Sequence, residues 1–411
     1  MTYTDAVDAD DWRVLDGRLC AWFDAPSHQG GAQLTARIAD LSEGAQLPDI
    51  DIRSSGVRVQ LGTPGAQQPT QADEELARAI SREAETLGLV ADPAVLQSVG
   101  LAIDGVDPNA LGLFWQTTFA YEGSADILRD PLRRDPPLRF QRQDAVPPLR
   151  NRSHLDVVRA SVAVATARNA LGQEPFGEYG LTLADADGNE VDLVPGDALS
   201  DSPDTDDWQV LFGAMAFYPT ASAGQSVHLA SAVAEWADQA DVPLMIDVRS
   251  VGVIIDSGKD QWEDDAEQPR STSFVELAAR VQTAARAMGL AADTARLRFV
   301  QVGIDVVDLA TVRAFWVAVL GYRDDPREHV TDIFDPRRLN PVIFFQDMDP
   351  AETDRRQQRG RIRLDLVVPT DRVQARIDAA LAAGGRVVAT QPGRCTVADP
   401  EDNEVDIVAG R

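Results

Sequence analysis

The chain has 411 residues, of which 44% are hydrophobic and 25% charged, and it carries a formal net charge of −28 at pH 7. This is the make-up of a soluble globular protein of roughly two to four domains. So large an excess of acid repels polyanions, which argues against nucleic acid and anionic membranes as partners.

The first elements are short. A strand is predicted over 18–23, a helix over 33–41 and a strand pair around 50–61. A long helix follows over 71–87, with Leu76, Ile80 and Leu87 on one face and Glu74, Glu75, Arg78, Arg82 and Glu83 elsewhere. Gly88 ends it, as glycine often ends helices. A strand over 98–103 leads to Asp107 at a helix N-cap position, and the helix runs through Phe114-Trp115. Strands around 138–142 and from His154 come next.

The order then repeats. Asp11-Trp12 returns as Asp207-Trp208, Arg53-Ser54 as Arg249-Ser250, Ile103-Asp104 as Ile304-Asp305, and Phe114-Trp115 as Phe315-Trp316. This is a tandem duplication of about two hundred residues. The Asp-, Ser- and Pro-rich segment at 197–206 reads as the linker. In the second copy the long helix is expected over 273–288. A later helix is expected from a Thr370 cap, with Val373, Ile377 and Leu381 as its buried stripe.

Two stretches close the copies. Ala184-Asp-Ala-Asp-Gly-Asn-Glu-Val-Asp-Leu-Val194 is answered by Ala398-Asp-Pro-Glu-Asp-Asn-Glu-Val-Asp-Ile-Val408. Asp, Gly and Asn suit a turn that needs left-handed backbone. The alternation after it buries Val191 and Leu193, or Val405 and Ile407, and sends Asp192 or Asp406 to the other face. Those carboxylates either meet a ligand or are solvated edge residues.

Cys20 and Cys395 stand at non-equivalent positions, so a disulfide framework is not expected, and a reducing cytoplasm is the simplest location. Met1 is followed by acidic residues rather than a signal region, and no apolar run approaches the roughly eighteen residues of a membrane span. Only His28, His154, His228 and His329 are available for acid–base or metal chemistry. His154 has Asp156 two residues on, hence on the same strand face. The other three show no partnered spacing and read as surface residues.

The segments 93–196 and 294–411 resemble the glyoxalase-like branch of the vicinal oxygen chelate (glyoxalase/bleomycin resistance/dioxygenase) superfamily. The resemblance is carried by Asp305-x-x-Asp308, Phe315-Trp316, Leu320-Gly321-Tyr322, Phe345-Gln346, Arg361-x-Arg363-Leu364-Asp365-Leu366 and Asp399-Pro400-Glu401-Asp402-Asn403-Glu404. It implies paired βαβββ units curled into a cup for a small molecule, often with a metal. The ligand positions it implies are Gly100, His154 and Asp192 in the first copy and Gln301, Arg363 and Asp406 in the second. A guanidinium does not ligate a cation, so the second cup fails as a metal site; the first offers His154 and Asp192, with glycine where a third ligand is wanted, so ligand binding without strong metal dependence is the expectation and a divalent metal in the first cup alone is the alternative.

The segments 1–92 and 207–293 resemble pterin-4a-carbinolamine dehydratase, through the early Trp, Pro48-Asp49-Ile50, Gly56-Val57-Arg58-Val59-Gln60-Leu61 and Asp73. The family's paired histidines fall on Gln46-Leu47 and Asp241-Val242, its aromatic on Ser54 and Ser250, and its third histidine near Thr63-Pro64 or Lys259. Imidazole is the ordinary group for proton transfer near neutral pH, so the resemblance implies a retained shape and a lost reaction.

An arginine cluster precedes the fifth strand of each cup and includes Arg133 and Arg338 at equivalent positions. It either captures an anionic ligand or answers the surrounding acids. Gln141 and Gln346 follow a buried aromatic and so face the cup if the aromatic faces the helices. Trp115 and Trp316 read as core.

The expectation is therefore an α+β protein, a duplicated pair of dehydratase-like and glyoxalase-like modules. Its cups bind a small anionic or polar molecule in a sequestering or resistance role. Candidate ligand contacts are Gln141, Arg133, Gln301, Gln346, Arg338, Arg363 and Asp406. The alternatives are a lyase or isomerase using His154 and Asp192, or residual carbinolamine dehydration through Asp241. Either a monomer with internal pseudo-symmetry or a homodimer satisfies the pattern.

Overall fold

A computed structural model of the chain describes residues 10–43, 46–63, 65–66, 68–124, 126–262 and 272–410. The first copy gives β1 (Arg13–Leu15), β2 (Arg18–Asp24), α1 (His28–Leu41), β3 (Asp49–Arg53), β4 (Gly56–Leu61), α2 (Gln71–Thr86) and β5 (Val90–Ala91). It continues with β6 (Ser98–Gly105), α3 (Pro108–Phe119), β7 (Glu122–Ser124), β8 (Ile127–Arg129), β9 (Leu138–Arg142), β10 (Ser153–Ala160), α4 (Ser161–Leu171), β11 (Thr182–Ala184) and β12 (Glu190–Ala198). The second copy gives β13 (Gln209–Leu211), β14 (Gly213–Pro219), α5 (Ala223–Ala240), β15 (Met245–Arg249), β16 (Gly252–Asp256) and α6 (Phe274–Ala287). Then come β17 (Arg298–Val306), α7 (Leu309–Leu320), β18 (Arg323–Asp324), β19 (Ile333–Phe334), β20 (Val342–Asp347), α8 (Thr353–Gln357), β21 (Ile362–Val368), α9 (Val373–Ala382), β22 (Arg386–Gln391), β23 (Arg394–Ala398) and β24 (Glu404–Ala409). The fold class is α+β, as the sequence implies.

The helix caps follow local chemistry. Thr70 and Asp73 form a reciprocal capping box at α2, and Ser273 and Glu276 form another at α6. Asp107 and Asp308 cap α3 and α7 by accepting backbone N–H groups.

Like modules associate with like. One compact unit contains residues 1–96 and 196–297, with 410–411; the other contains 97–195 and 298–409. In the first unit the strands run β1-β2-β4-β3-β15-β16-β14-β13. The two copies meet at β3 and β15, which pair antiparallel with Asp51 opposite Asp247. The alternation of β3 sends Ile50 and Ile52 into a core shared with α1, α2, α5 and α6, and β15 does the same with Ile246 and Val248.

The other face of the same strands carries buried ions. Arg53 donates to Asp247 Oδ1 at 2.7 Å, and Arg249 donates to Asp51 Oδ1 at 2.6 Å. Arg58 also donates to Asp51, at 2.6 Å. Each Asp-x-Arg triplet thus pairs with its own repeat across the join. Burial raises the Asp51 carboxyl, but Arg249, Arg58 and Arg53 outweigh it and hold Asp51 well below the usual carboxylate range.

In the second unit the copies cross. β6 pairs antiparallel with β21, 98–103 against 362–367, and β10 pairs with β17, 153–159 against 298–304. One strand set is therefore β22-β23-β24-β21-β6-β9-β8-β7 and the other β12-β10-β17-β20-β19-β18, with β11 on β12. Each combines one half of the first copy with the opposite half of the second. A shared core of Leu101, Ile103, Leu155, Val157, Val302, Ile304, Leu364 and Leu366 packs against Trp115 and Trp316.

Four details differ from the sequence-based expectation. The unit after β10 has only β11 and β12 among the described residues, so it is βαββ rather than βαβββ. Asp197 and Ala198, expected in a linker, pair with Val210 and Gln209 as the end of β12. α9 begins at Val373, while Thr370 heads a 3-10 turn, and the stripe that packs inward is Val373, Ile377 and Ala380, with Leu381 43% exposed. His28 is buried, with Nδ1 2.7 Å from Asp238 Oδ1 and Nε2 3.0 Å from Leu244 O, whereas His228 and His329 are exposed. The partners of His28 lie in the other copy, beyond the reach of sequence spacing. Among the described residues no helix is long and apolar enough to cross a membrane.

Candidate functional site

The turn in each closing stretch is built around one buried carboxylate. Asp185 accepts from the N–H groups of Asp187 and Asn189, the Asn189 amide and Trp115 Nε1. Asp399 accepts the same set from Glu401, Asn403 and Trp316. Burial still pushes both carboxyls up, since these neutral donors only partly offset the loss of water. Gly188 and Asp402 hold the left-handed position at φ +75° and +69°. The tryptophans are core residues with their polar atoms satisfied.

These turns aim β12 and β24. Val191 and Leu193 enter the core, and Asp192 takes the opposite face, accepting from Thr182 Oγ1 at 2.6 Å. On the neighbouring β10, Leu155 and Val157 are core while His154 and Asp156 share the face of Asp192. The three offer ligand atoms within 4.8 Å of one another, with His154 Nε2 3.5 Å from Asp156 Oδ1.

Gln301 completes this face from the second copy. It sits opposite Asp156 on β17 and donates to Asp156 Oδ2 at 2.8 Å. Its Oε1 is buried and has no hydrogen-bond partner among the described residues. Gly303 makes room for the imidazole: a Cβ there would lie 2.3 Å from His154 Cε1 and 2.7 Å from Phe344 Cζ. The ring of Phe344 meets that of His154 edge-on at 5.5 Å.

The expected grouping by copy is thus corrected. Gly100 does not stand beside His154 and Asp192; it lies on β6 opposite Asp365, beside the second copy's Arg363 and Asp406. Gln301, assigned from the sequence to the Arg363 set, stands with His154 instead. The donor set around His154 is one imidazole and two carboxylates, which fits a divalent cation.

The Arg363 cup has a different character. Arg363 donates to Asp104 Oδ1 at 2.7 Å and to Gln141 Oε1 at 2.8 Å, and lies 3.6 Å from Asp406. Arg359 bonds Asp104 and Glu404, at 2.8 and 2.9 Å. Arg394 bonds Asp406 at 2.6 Å and Asp365 at 3.3 Å, and Thr396 Oγ1 donates to Asp406. Burial pushes the Asp365 carboxyl up; Arg394 opposes this and Asp406 adds to it. No cation fits among these guanidiniums.

Gln141 and Gln346 lie across the strand from the core residues Phe140 and Phe345; Gln141 lines the Arg363 cup, and Gln346 is exposed on β20, opposite Asp305. Arg133 and Arg338 occupy left-handed turn positions before β9 and β20, at φ +53° and +51°, with backbone N–H groups bonded to Asp130 and Asp335 carbonyls. Neither lines the cup. Their equivalence reflects the turn they share. Most other arginines of the two clusters bind acids or carbonyls: Arg150 holds Glu190, Arg152 the Glu401 carbonyl, and Arg355 the carboxylate of Asp305. Arg359 belongs to the second copy's arginine cluster that the sequence singled out, but sequence reasoning missed Asp104, Arg394 and Thr396. Only the strand alternation of Asp104 with Gly100 hinted at any of them.

In the first unit, Gln46 donates to Ser250 Oγ at 2.9 Å, Leu47 and Val242 are buried, and Asp241 is an exposed left-handed helix cap. Pro64 lies outside the described residues. No imidazole stands at any of these positions.

A family model described as "Glyoxalase-like domain" matches residues 100–194 and 301–408. A putative pterin-4-alpha-carbinolamine dehydratase of Mycobacterium leprae (strain Br4923) is 36% identical over 77 residues, 18% of this chain and 82% of that protein. Among solved structures, a point mutant of glyoxalase I from Zea mays matches at 10% identity and TM-score 0.35, covering 78% of this chain and 95% of that one. A glyoxalase/bleomycin resistance protein/dioxygenase family enzyme from Burkholderia phytofirmans PsJN matches at 19% identity and TM-score 0.22, covering 26% and 95%. A point mutant of the fosfomycin resistance protein FosX from Listeria monocytogenes matches at 14% identity and TM-score 0.22, covering 26% and 86%.

Proposed function

The chain carries two glyoxalase-like domains of the vicinal oxygen chelate superfamily, at 100–194 and 301–408, and belongs over 77 residues to the pterin-4-alpha-carbinolamine dehydratase family; from that premise we propose that its second unit binds a small polar organic molecule, with the His154 face as the principal site. The observation that carries this reading is the convergence of His154, Asp156, Asp192 and Gln301 on one sheet face, with Gln301 Oε1 buried and lacking a partner among the described residues. Buried acceptors without donors are rare because desolvation costs about 1–3 kcal/mol.

His154, Asp156 and Asp192 would hold a divalent cation, and Gln301 would orient Asp156. Thr182 fixes Asp192 as an outer hydrogen bond fixes a ligand. Such a cation supplies Lewis-acid polarisation of a ligand oxygen. Without one, the His154 imidazole would serve as the general acid or base of this face, with Asp192 beside it, which is the lyase or isomerase alternative. The dehydratase-related unit is proposed as a scaffold, because Gln46 and Asp241 stand where imidazoles would be needed.

The test combines native mass spectrometry for a co-purified molecule with metal analysis and titration of Mn²⁺, Ni²⁺ and Zn²⁺ into chelator-treated protein. One metal per chain is expected, lost in His154→Gln and in Asp192→Asn. Binding that both variants retain, or no metal and no small molecule at all, would overturn the proposal.

A further inference from the structure

The Arg363 cup encloses a cavity of about 390 Å³, walled by Arg359, Arg363, Arg394, Asp406, Val388 and Ala389 among others. Its charges cancel: Arg139, Arg359, Arg363 and Arg394 face Asp104, Asp365, Glu404 and Asp406. Its hydrogen bonding does not cancel. A guanidinium carries five N–H donors. Arg363 is buried, and its Nε has no partner among the described residues. The bonds of Arg359 leave from Nε and Nη1 and those of Arg394 from Nη1, so Nη2 of both retains N–H groups beyond these bonds. The acceptors that line the cup, Glu404, Asp406 and Gln141, are already bonded to these arginines, and Val388 and Ala389 on β22 give it an apolar wall.

We propose that this cup is a second, metal-free site for a small organic monocarboxylate. The carboxylate lies between Arg359 and Arg394 above Arg363, and its short aliphatic part rests on Val388 and Ala389. The fork geometry of guanidinium matches a carboxylate, and charge-assisted bonds of this kind are about twice as strong as neutral ones. A monoanion adds one charge to a neutral cup; a phosphate dianion adds two against the same four carboxylates. The inference rests on the reading that the second unit holds small molecules, but it needs nothing from His154.

The test uses the full chain and isovalerate, followed by saturation-transfer NMR and calorimetry, with isovaleramide and inorganic phosphate as comparison probes. Isovalerate is expected to bind, isovaleramide to bind at least about tenfold more weakly, and phosphate not to displace isovalerate at equal concentration. Arg394→Gln is expected to lower isovalerate affinity by about tenfold or more. Val388→Glu leaves every arginine in place but adds a carboxylate to the wall that competes for the same guanidiniums, and is expected to abolish binding even if Arg394→Gln folds poorly. Absence of isovalerate binding, equal binding of the amide, displacement by phosphate, or unchanged affinity in Val388→Glu would each overturn the assignment. If His154→Gln abolishes binding while Val388→Glu does not, isovalerate occupies the other face: the proposed function stands and this inference falls.

Discussion

Gln301 donates its side-chain amide to Asp156 at 2.8 Å across the β10–β17 ladder, although the two residues come from different copies of the repeat. The bond joins the first copy's imidazole and carboxylates to the residue that the duplication places in the other set. It also fixes which oxygen of Asp156 remains for His154.

Removing that amide is expected to strand a buried carboxylate. Gln301→Met keeps the volume and deletes the donor, and the predicted loss is about 1–3 kcal/mol, read from urea unfolding. The same variant is predicted to weaken metal binding in titration, because Asp156 loses its orienting bond. A variant as stable as the parent would show that the bond contributes little.

The Arg53–Asp247 and Arg249–Asp51 pairs stitch β3 to β15. Arg249→Met leaves Asp51 with less compensation in a buried site, with an expected cost of about 3–5 kcal/mol. Because the Asp51 carboxyl sits below its unfolded value of about 3.9, its contribution is full above that pH and is lost as the pH falls through the folded value. Acid unfolding followed by circular dichroism is therefore predicted to fall less steeply below about pH 4 in Asp51→Asn than in the parent.

Asp399 holds the turn before β24 with four donated hydrogen bonds, one from Trp316. Asp399→Ala strips all four, and a loss of roughly 2–4 kcal/mol is expected in denaturant unfolding. Trp316 emission should shift as its indole N–H loses its partner. Asp399→Asn, which keeps an acceptor oxygen, is expected to lose less.

The crossed pairing predicts how the halves behave apart. Fragments 1–200 and 201–411, each made alone, leave β6 and β10, or β17 and β21, without their partners. Co-expressed, they are expected to purify as a one-to-one complex with the parent's circular dichroism, measured by size-exclusion chromatography with light scattering. Independently folded monomeric halves would contradict the observed strand order.

Much of this protein was legible locally. The alternation in 190–194 and 404–408 fixed which side chains leave the core, because a strand's period of two does not depend on its neighbours. The same logic placed His154 with Asp156 and set Gln141 and Gln346 opposite their aromatics. Asp107 and Asp308 marked the starts of α3 and α7 and duplicated motifs marked the repeat itself, whereas α1 starts at His28 rather than the expected 33. That Arg133 and Arg338 hold left-handed turn positions was not legible, since a turn position and a binding position look alike in sequence.

What only the tertiary structure decided is partnership. Strand pairing joins residues far apart in sequence, and two near-copies offer two pairings with similar local chemistry. The crossed one put Gln301 beside Asp156 and Gly100 opposite Asp365, and so decided which face gathers metal-compatible donors and which gathers guanidiniums. The sequence by itself determined the faces and their chemistry; the long-range ladder, whose register depends on the burial of the whole core, determined which faces meet.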